Sequence, residues 1–454
     1  MAQREKDYDL LVIGGDAAGM SAASQARRID PAMTIGVFDK GEHISYAACG
    51  MPYYIAGQIA DSNELIAVDR DEFVAKRNVD ITNGAEAVRV DFDAREVVIR
   101  VGSEERAYGF RKLVIATGAR AFRPPLRGID APDVFFLRNL SDGIAIKTRL
   151  AEKRPKRIVT IGGGFIGLEL AEAFRGLGIE TVIVERMESV AMSMSPFIRE
   201  RIITTLQKNG VTLVTGAEIN AIVEAGGALG VVTGAGTFDA DMVVISTGVV
   251  PNTEFLIASP LAFDSRKAIV VNGKSETNLP GVYAAGDCAT VPHLVTGKDV
   301  YMPLGSTANK QGRVAGLQVA GVASEVFPGI VGSQFVKIFD LEVGKTGFNA
   351  ADAEREGVPA ESVTATWRSR AGYCPKAQKI FMTLTINADT RHVIGAELAG
   401  TDGAALRTNV VAAAIAARMT IDELAYLDLG YAPPFSPVWD PVNAAAQKFV
   451  KRGM

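Results

Sequence analysis

Apolar positions fall along this chain in short runs that close on glycine. Residues 8–19, YDLLVIGGDAAG, place four aliphatics before a glycine turn, and MSAASQARRID continues at helical spacing. Residues 157–167, RIVTIGGGFIG, repeat the pattern, and LELAEAFRGLG follows as its helix. Each helix gives way to a second apolar run that ends in an acid. These are TIGVFD, ending at Asp39 with Lys40 beside it, and TVIVE, ending at Glu185. Strand, glycine turn, helix, strand and terminal acid make a βαβ dinucleotide fingerprint, present twice.

The chemistry follows from the residue types. Gly14 and Gly162 permit the tight turn, Gly164 lets backbone approach a pyrophosphate, and Gly19 and Gly167 let helix pack closely on strand. The helix N-terminus offers free N–H groups to phosphate, and Asp39 and Glu185 accept hydrogen bonds from a ribose. The first copy departs at Asp16, which stands where the second glycine is expected. Gly15 is left to supply the closeness, and a carboxylate there has to point away from a pyrophosphate.

Further runs fit the same plan. LVIATGA carries Thr117 and Gly118, VVISTGV carries Gly248, and GVYAAGDCA ends in Gly286 and Asp287. An acid at the carboxyl end of such a strand faces the ligand crevice of an α/β sheet. After about residue 328 the period changes to two in SQFVKIFDLEVGKTG, KIFMTLTINADT and HVIGAELAG. An alanine-rich helix and the tail YAPPFSPVWDPVNAAAQKF close an α+β region. That tail is expected to pack on something, most simply its own domain.

Composition narrows the classes. The 454 residues are 48% hydrophobic and 22% charged, with a net charge of −4, so no field attracts nucleic acid or an anionic membrane. No apolar run approaches the roughly 20 residues that span a bilayer, and MAQREKDYD lacks the apolar core of a signal peptide. A cytoplasmic location with reduced thiols is expected. Cys49, Cys288 and Cys374 make neither a disulfide framework nor a zinc pattern, and three scattered histidines mark no metal site. Cys288 reads as a small buried hydrophobe and Cys374 as an open second thiol.

The double fingerprint, the Thr-Gly turns, AAGD and the last domain resemble the flavin-dependent pyridine nucleotide–disulfide oxidoreductases, across essentially the whole chain. SYAACGMPYYIAG and the closing tail are similar to the single-cysteine branch, which holds coenzyme A disulfide reductase, NADH oxidase and NADH peroxidase. A second cysteine five positions from Cys49 is missing, because Ile44 and Tyr54 stand there. Ala17 stands where the oxidases and peroxidases resemble one another in a histidine, and ASQARR resembles the disulfide reductases. Ala48 and Tyr373-Cys374-Pro375 depart from the Asn and Tyr-Tyr-Pro common in that group.

The resemblance implies an α/β fold: two Rossmann-like nucleotide-binding domains and a C-terminal α+β dimerisation domain. The expected bounds are 1–122 with 246–327 for FAD, 123–245 for NAD(P) and 328–454 for dimerisation. It places FAD on Gly14, Gly19, Asp39, Lys40, Thr117, Gly118, Gly286, Asp287, Thr307 and Ala308. NADH, or NADPH through Arg186, goes to Gly162, Gly164, Gly167, Glu185 and Gly248. Phe165 is the aromatic gate and Glu169 stands near the nicotinamide. Cys49 is the redox thiol. A helix starting at Gly50 and Pro52 would lower its pKa. Tyr431 of a homodimer partner, with Tyr373, is the proton donor. Gln25, Arg28, Ser45, Lys76 and Arg77 are candidates for an anionic substrate such as coenzyme A disulfide. Three rivals remain: an NADH oxidase, an electron-transfer flavoprotein reductase and an NADH-binding redox sensor.

Overall fold

The computed structural model describes residues 4–452. Strand β1 (Arg4–Ile13), helix α1 (Ala17–Ile29) and strand β2 (Ile35–Asp39) form the first βαβ unit's core. Leu10, Leu11 and Val12 are fully buried, as expected of a parallel strand covered on both faces. A loop with a tight turn at Ala48–Gly50 leads into α2 (Met51–Ile55) and α3 (Arg70–Arg77). Then come β3 (Asp80–Asn83), β4 (Ala85–Asp91), β5 (Glu96–Val101) and β6 (Glu104–Ile115). Their order is β3-β2-β1-β6-β5-β4, with β1 and β6 parallel and β4 and β5 antiparallel additions.

The second unit opens with β7 (Ala119–Ala121), β8 (Val134–Phe136), α4 (Leu140–Lys153), β9 (Arg157–Ile161) and α5 (Phe165–Gly176). It continues through β10 (Glu180–Val184), α6 (Pro196–Lys208) and β11 (Val211–Val214). A three-stranded antiparallel sheet follows: β12 (Ile219–Ala225), β13 (Ala228–Thr233) and β14 (Gly236–Ala240). Strand β15 (Met242–Ile245) completes the parallel sheet β11-β10-β9-β15-β8. Strand β16 (Val249–Pro251) then pairs antiparallel with β7. The chain therefore leaves and re-enters this unit through one two-stranded ribbon, and the two Thr-Gly turns sit at its ends.

Strand β17 (Val282–Ala284) rejoins the first sheet beside β6, with a short hairpin of β18 (Val291–Pro292) and β19 (Asp299–Val300) after it. Helix α7 (Gly305–Val319) lies against α1 at very close range. A Cβ on Gly312 would meet the Ala18 carbonyl oxygen at 2.1 Å, and one on Gly316 would meet that of Ala22 at 2.4 Å. Only glycine lets these backbones touch.

The C-terminal region is a five-stranded antiparallel sheet, β20-β21-β24-β23-β22. Its strands are β20 (Gln334–Ile338), β21 (Leu341–Gly347), β22 (Ala360–Arg368), β23 (Lys379–Asn387) and β24 (Val393–Gly400). Helix α8 (Ala350–Glu356) sits between β21 and β22; α9 (Ala404–Ala416), α10 (Ile421–Ala425) and α11 (Pro441–Arg452) follow β24. The last three share one core with Ile380, Leu384 and Leu398. Val336, Ile338 and Val343 share another with Leu168 of α5 and Ile198 and Ile202 of α6, so this sheet packs on the second unit. Polar groups lock the same seam. Buried Lys345 Nζ donates to Asp352 Oδ2 at 2.6 Å and to the Ser193 carbonyl, and Glu397 accepts from Ser195 N and Asn349 Nδ2.

The tail docks on its own domain. Arg407 donates to Asp440 Oδ2 and to the carbonyls of Ser369 and Phe435, each at 2.8 Å. Its outer side leaves Tyr431, Phe435 and Val438 exposed.

Candidate active site

The two glycine turns are built alike. Gly14 and Gly162 adopt φ of +105° and +110°, open to glycine and costly to other residues. A Cβ on Gly19 would meet the Gly14 oxygen at 1.8 Å, and one on Gly167 the Gly162 oxygen at 2.0 Å. In each unit the acid after the second strand grips the turn. Gly15 N donates to Asp39 Oδ2 at 2.6 Å, and Gly163 N to Glu185 Oε2 at 2.7 Å. The opposite oxygens accept from Gly41 N and Met187 N, so both carboxylates are fixed in direction. Lys40 lies exposed beside Asp39.

The units differ at the first residue before the helix. Gly164 caps α5 with open space where a Cβ would stand. Asp16 occupies the same place before α1, and its Oδ1 accepts from Tyr46 N at 3.2 Å. The carboxylate thus turns toward the loop that carries Cys49. Burial pushes its pKa up to about 6, against the pull of the Tyr46 and Ala17 amides.

That loop is pinned at both ends. Ser45 adopts φ of +48°, held between the Gly15 carbonyl and Ala67 N. Cys49 follows in the tight turn before α2, with Pro52 in the first turn of the helix. Its surface is open to solvent, but protein walls surround the cleft on the wider scale. The thiol is pushed above its ordinary value, first by this burial and then by Glu169 and Asp287. This corrects the expectation that the short helix α2 lowers it. One turn of dipole does not outweigh desolvation and two carboxylates in the chain alone.

Opposite the loop stands α5. Phe165 heads it, half-buried. Glu169 makes no side-chain hydrogen bond among the described residues, and burial, then Glu172, pushes its pKa up to about 7. Glu172 is engaged by Phe339 N at 2.8 Å and by Lys337. Glu169, Glu172, Tyr53 and Pro52 line one small cavity, which sets α5 against the helix after Cys49.

Asp287, after β17, meets a residue the sequence reading missed. Arg138 Nη2 donates to Asp287 Oδ2 at 2.8 Å, and its Nε to the Ala119 carbonyl at 2.8 Å. It precedes the capping box Asn139–Asp142 of α4, a helix start legible in the sequence, but its partner is 149 residues away. Arg138 is also the cation that offsets the carboxylates around Cys49. Thr117 Oγ1 donates to the Asn252 carbonyl at 2.8 Å, and Gly118 and Gly248 keep positive φ at the ribbon ends. Thr307 and Ala308 are buried in the first turn of α7, and Ala308 Cβ lies 3.3 Å from where a Cβ on Gly286 would stand.

Beside the Cys49 loop opens a pocket of about 400 Å³ that gathers Gln25, Arg28 and Ser45. Buried Gln25 Oε1 accepts from both Arg28 Nη1 and Arg313 Nη1 at 3.0 Å. Arg313 and Lys310, on α7, add cations that the sequence reading did not single out. Lys76 and Arg77 are not among its lining residues. Lys76 instead pairs with Glu72 one turn back on α3. Cys288 is fully buried, with its sulfur 3.4 Å from the Ile115 carbonyl, and packs as a hydrophobe. Cys374 is half-buried. Tyr373 and Tyr431 meet at 3.3 Å between hydroxyls on the exposed face of the last domain, far apart in sequence.

With this geometry in place, residues 8–312 match the pyridine nucleotide-disulphide oxidoreductase family, and residues 333–441 match its dimerisation domain. The chain belongs to that family. It is 34% identical over 443 residues to an NAD(P)H sulfur oxidoreductase (CoA-dependent) of Pyrococcus abyssi, covering 96% of this chain and 97% of that protein. It is 33% identical over 446 residues to an NADH oxidase of Methanocaldococcus jannaschii, covering 97% and 98%. Its backbone superposes with a TM-score of 0.94 on the reduced CoADR-RHD of Bacillus anthracis, at 33% identity, covering 99% of this chain and 81% of that one.

Members of the family use FAD and NAD(P)H, and the residues here fit both. Two glycine cradles sit at helix N-termini with their Cβ space taken or open as described. The Tyr301 hydroxyl is buried with no hydrogen-bond partner among the described residues and lies in the field of Asp287 and Arg138. The chain is an oxidoreductase of this family, with two Rossmann-like sheets and a C-terminal dimerisation domain.

Proposed function

We propose that this enzyme reduces the disulfide or persulfide of a small thiol, coenzyme A first among them, with NADH and through Cys49. The observation that carries the reading is Cys49 itself, alone in its loop and flanked by a pocket whose cations are organised by Gln25. A single protein thiol needs its second sulfur from the substrate. The paired guanidiniums of Arg28 and Arg313 suit the phosphates of such a substrate. The sulfur oxidoreductase and CoADR relatives support this acceptor, and the NADH oxidase relative supports oxygen as the rival.

In this reading residues 1–122 and 246–327 hold FAD, residues 123–245 hold NADH, and residues 328–454 make a homodimer. Gly14, Gly19, Asp39 and Lys40 receive the ADP half of FAD; Thr117, Gly118, Gly286, Asp287, Thr307 and Ala308 lie toward its flavin end. Gly162, Gly164, Gly167, Glu185 and Gly248 hold NADH, with Phe165 as the gate and Glu169 beside the nicotinamide. When bound, FAD supplies two-electron transfer from NADH to sulfur.

The rest falls to the chain's own groups. The Cys49 thiolate attacks one sulfur of the substrate disulfide, and the S–S bond breaks to leave Cys49 in a mixed disulfide. The departing thiolate takes a proton from Tyr431 of the partner subunit, which Tyr373 orients through the hydroxyl contact. Two electrons and a proton then cleave the mixed disulfide, release the second thiol and restore the Cys49 thiolate. Arg138 holds positive charge near the sulfur that departs.

Anaerobic stopped flow with coenzyme A disulfide, set against oxygen alone, tests the reading. Faster turnover with the disulfide, lost in Cys49→Ser, is expected. Faster turnover with oxygen, or a fully active Cys49→Ser, overturns it.

A further inference from the structure

The first glycine turn carries a carboxylate where the second carries none. Asp16 and Gly164 occupy equivalent places, the last residue before the helix in each βαβ unit, where N–H groups converge on phosphate. A carboxylate anion there opposes a pyrophosphate. We propose that Asp16 is a positioning residue for FAD: neutral, it shares the crevice with the pyrophosphate, and ionised, it repels it and loosens the cofactor.

Several observations point the same way. Asp16 is held in place rather than swung into solvent, because its Oδ1 accepts from Tyr46 N at 3.2 Å. The anion accepts from the Tyr46 and Ala17 amides, and protonation turns one carboxyl oxygen into a donor where the anion could only repel a phosphate. No cation pairs with it directly among the described residues. Arg138, the nearest guanidinium acting on it, is already committed to Asp287 and Ala119 O. Asp39 on β2 adds a like charge, and that carboxylate is itself tied to Gly15 N. Burial already lifts Asp16 to about 6 in the chain alone. A pyrophosphate dianion raises it further, since like charges favour the protonated form.

Linkage fixes the sign. A group whose pKa is higher in the bound state favours binding below its free pKa and withdraws that support as pH rises through the bound pKa. FAD affinity should therefore fall as pH rises from about 6. Glu169 on α5 also titrates near neutrality, and Cys49, Tyr46 and Asp287 face the same crevice. The wild-type slope alone thus does not single out Asp16; the comparison with variants does.

The inference rests on the first unit holding FAD. The test is FAD titration of apoprotein by flavin fluorescence quenching between pH 6 and 8.5, with no turnover needed. For the wild type a rise in Kd of about tenfold across that range is expected. Asp16→Asn, which keeps the Tyr46 bond without ionising, should change less than about twofold. Asp16→Gly, which restores the residue type of the second unit, should be equally flat. A wild-type profile without slope, or the wild-type slope in either variant, overturns the proposal. Apoprotein that takes up no FAD at any pH overturns the placement of the cofactor instead.

Discussion

In the proposed reading, Glu185 decides which nucleotide enters. Both its oxygens are bound by backbone amides, Gly163 N and Met187 N, so the carboxylate stands fixed at the end of β10. A fixed anion accepts a ribose 2′-hydroxyl and repels a 2′-phosphate. Glu185→Ala should therefore raise kcat/KM for NADPH relative to NADH by about tenfold or more, equivalent to about 1.4 kcal/mol, with Arg186 then free to pair the phosphate. Unchanged preference in steady-state assays would remove Glu185 from that role. Glu169 carries a second prediction. Its carboxyl is pushed up to about 7, first by burial and then by Glu172, so it passes from neutral to anionic as pH rises through neutrality. Glu169→Gln should erase a step near pH 7 in the binding of NAD(P)+, whose cationic ring the anion favours. Equilibrium titration across pH 6–8 reads it directly.

At the scale of elements, two seams hold the site together. One is the α1–α7 contact, where Gly312 faces the Ala18 carbonyl with no room for a methyl. Gly312→Ala forces the helices apart and should cost about 1–3 kcal/mol, read as a lower Tm. FAD retention should fall with it, since both helices begin in the crevice. The other is the polar seam on Lys345. Removing that ammonium in Lys345→Met leaves buried Glu397 without its cation and Asp352 with only the exposed Arg355, at a cost of about 3 kcal/mol by chemical denaturation. These elements also mark what was legible beforehand. The two βαβ units stand out in the sequence because long apolar runs, glycine turns and terminal acids agree at every level. The β12–β14 sheet and strand β22 were not anticipated: β14 and β22 alternate weakly and are largely exposed. Arg138 and Arg313 were missed because their meaning is tertiary, lying in partners 149 and 288 residues away. Cys49 was found as a residue, but the direction of its pKa was not, because it is raised first by burial in the folded cleft and then by Glu169, which reaches it from the second unit.

For the whole molecule, the Tyr373–Tyr431 pair and the open aromatic tail lie on one outer face of the family's dimerisation domain. If the tyrosines serve the partner's Cys49, activity is a property of the dimer. Mixed dimers of Cys49→Ser with Tyr431→Phe should then regain one complete site, and turnover should exceed that of either homodimer. No gain on mixing would place the proton donor within the subunit. The central claim, that Cys49 works alone and borrows its second sulfur, is tested most directly by mass spectrometry of the purified, non-reduced protein. The expected result is a small-thiol adduct on the peptide that holds Cys49, lost on anaerobic addition of one equivalent of NADH. An unmodified Cys49 in active enzyme, or an adduct that NADH leaves in place, would contradict it.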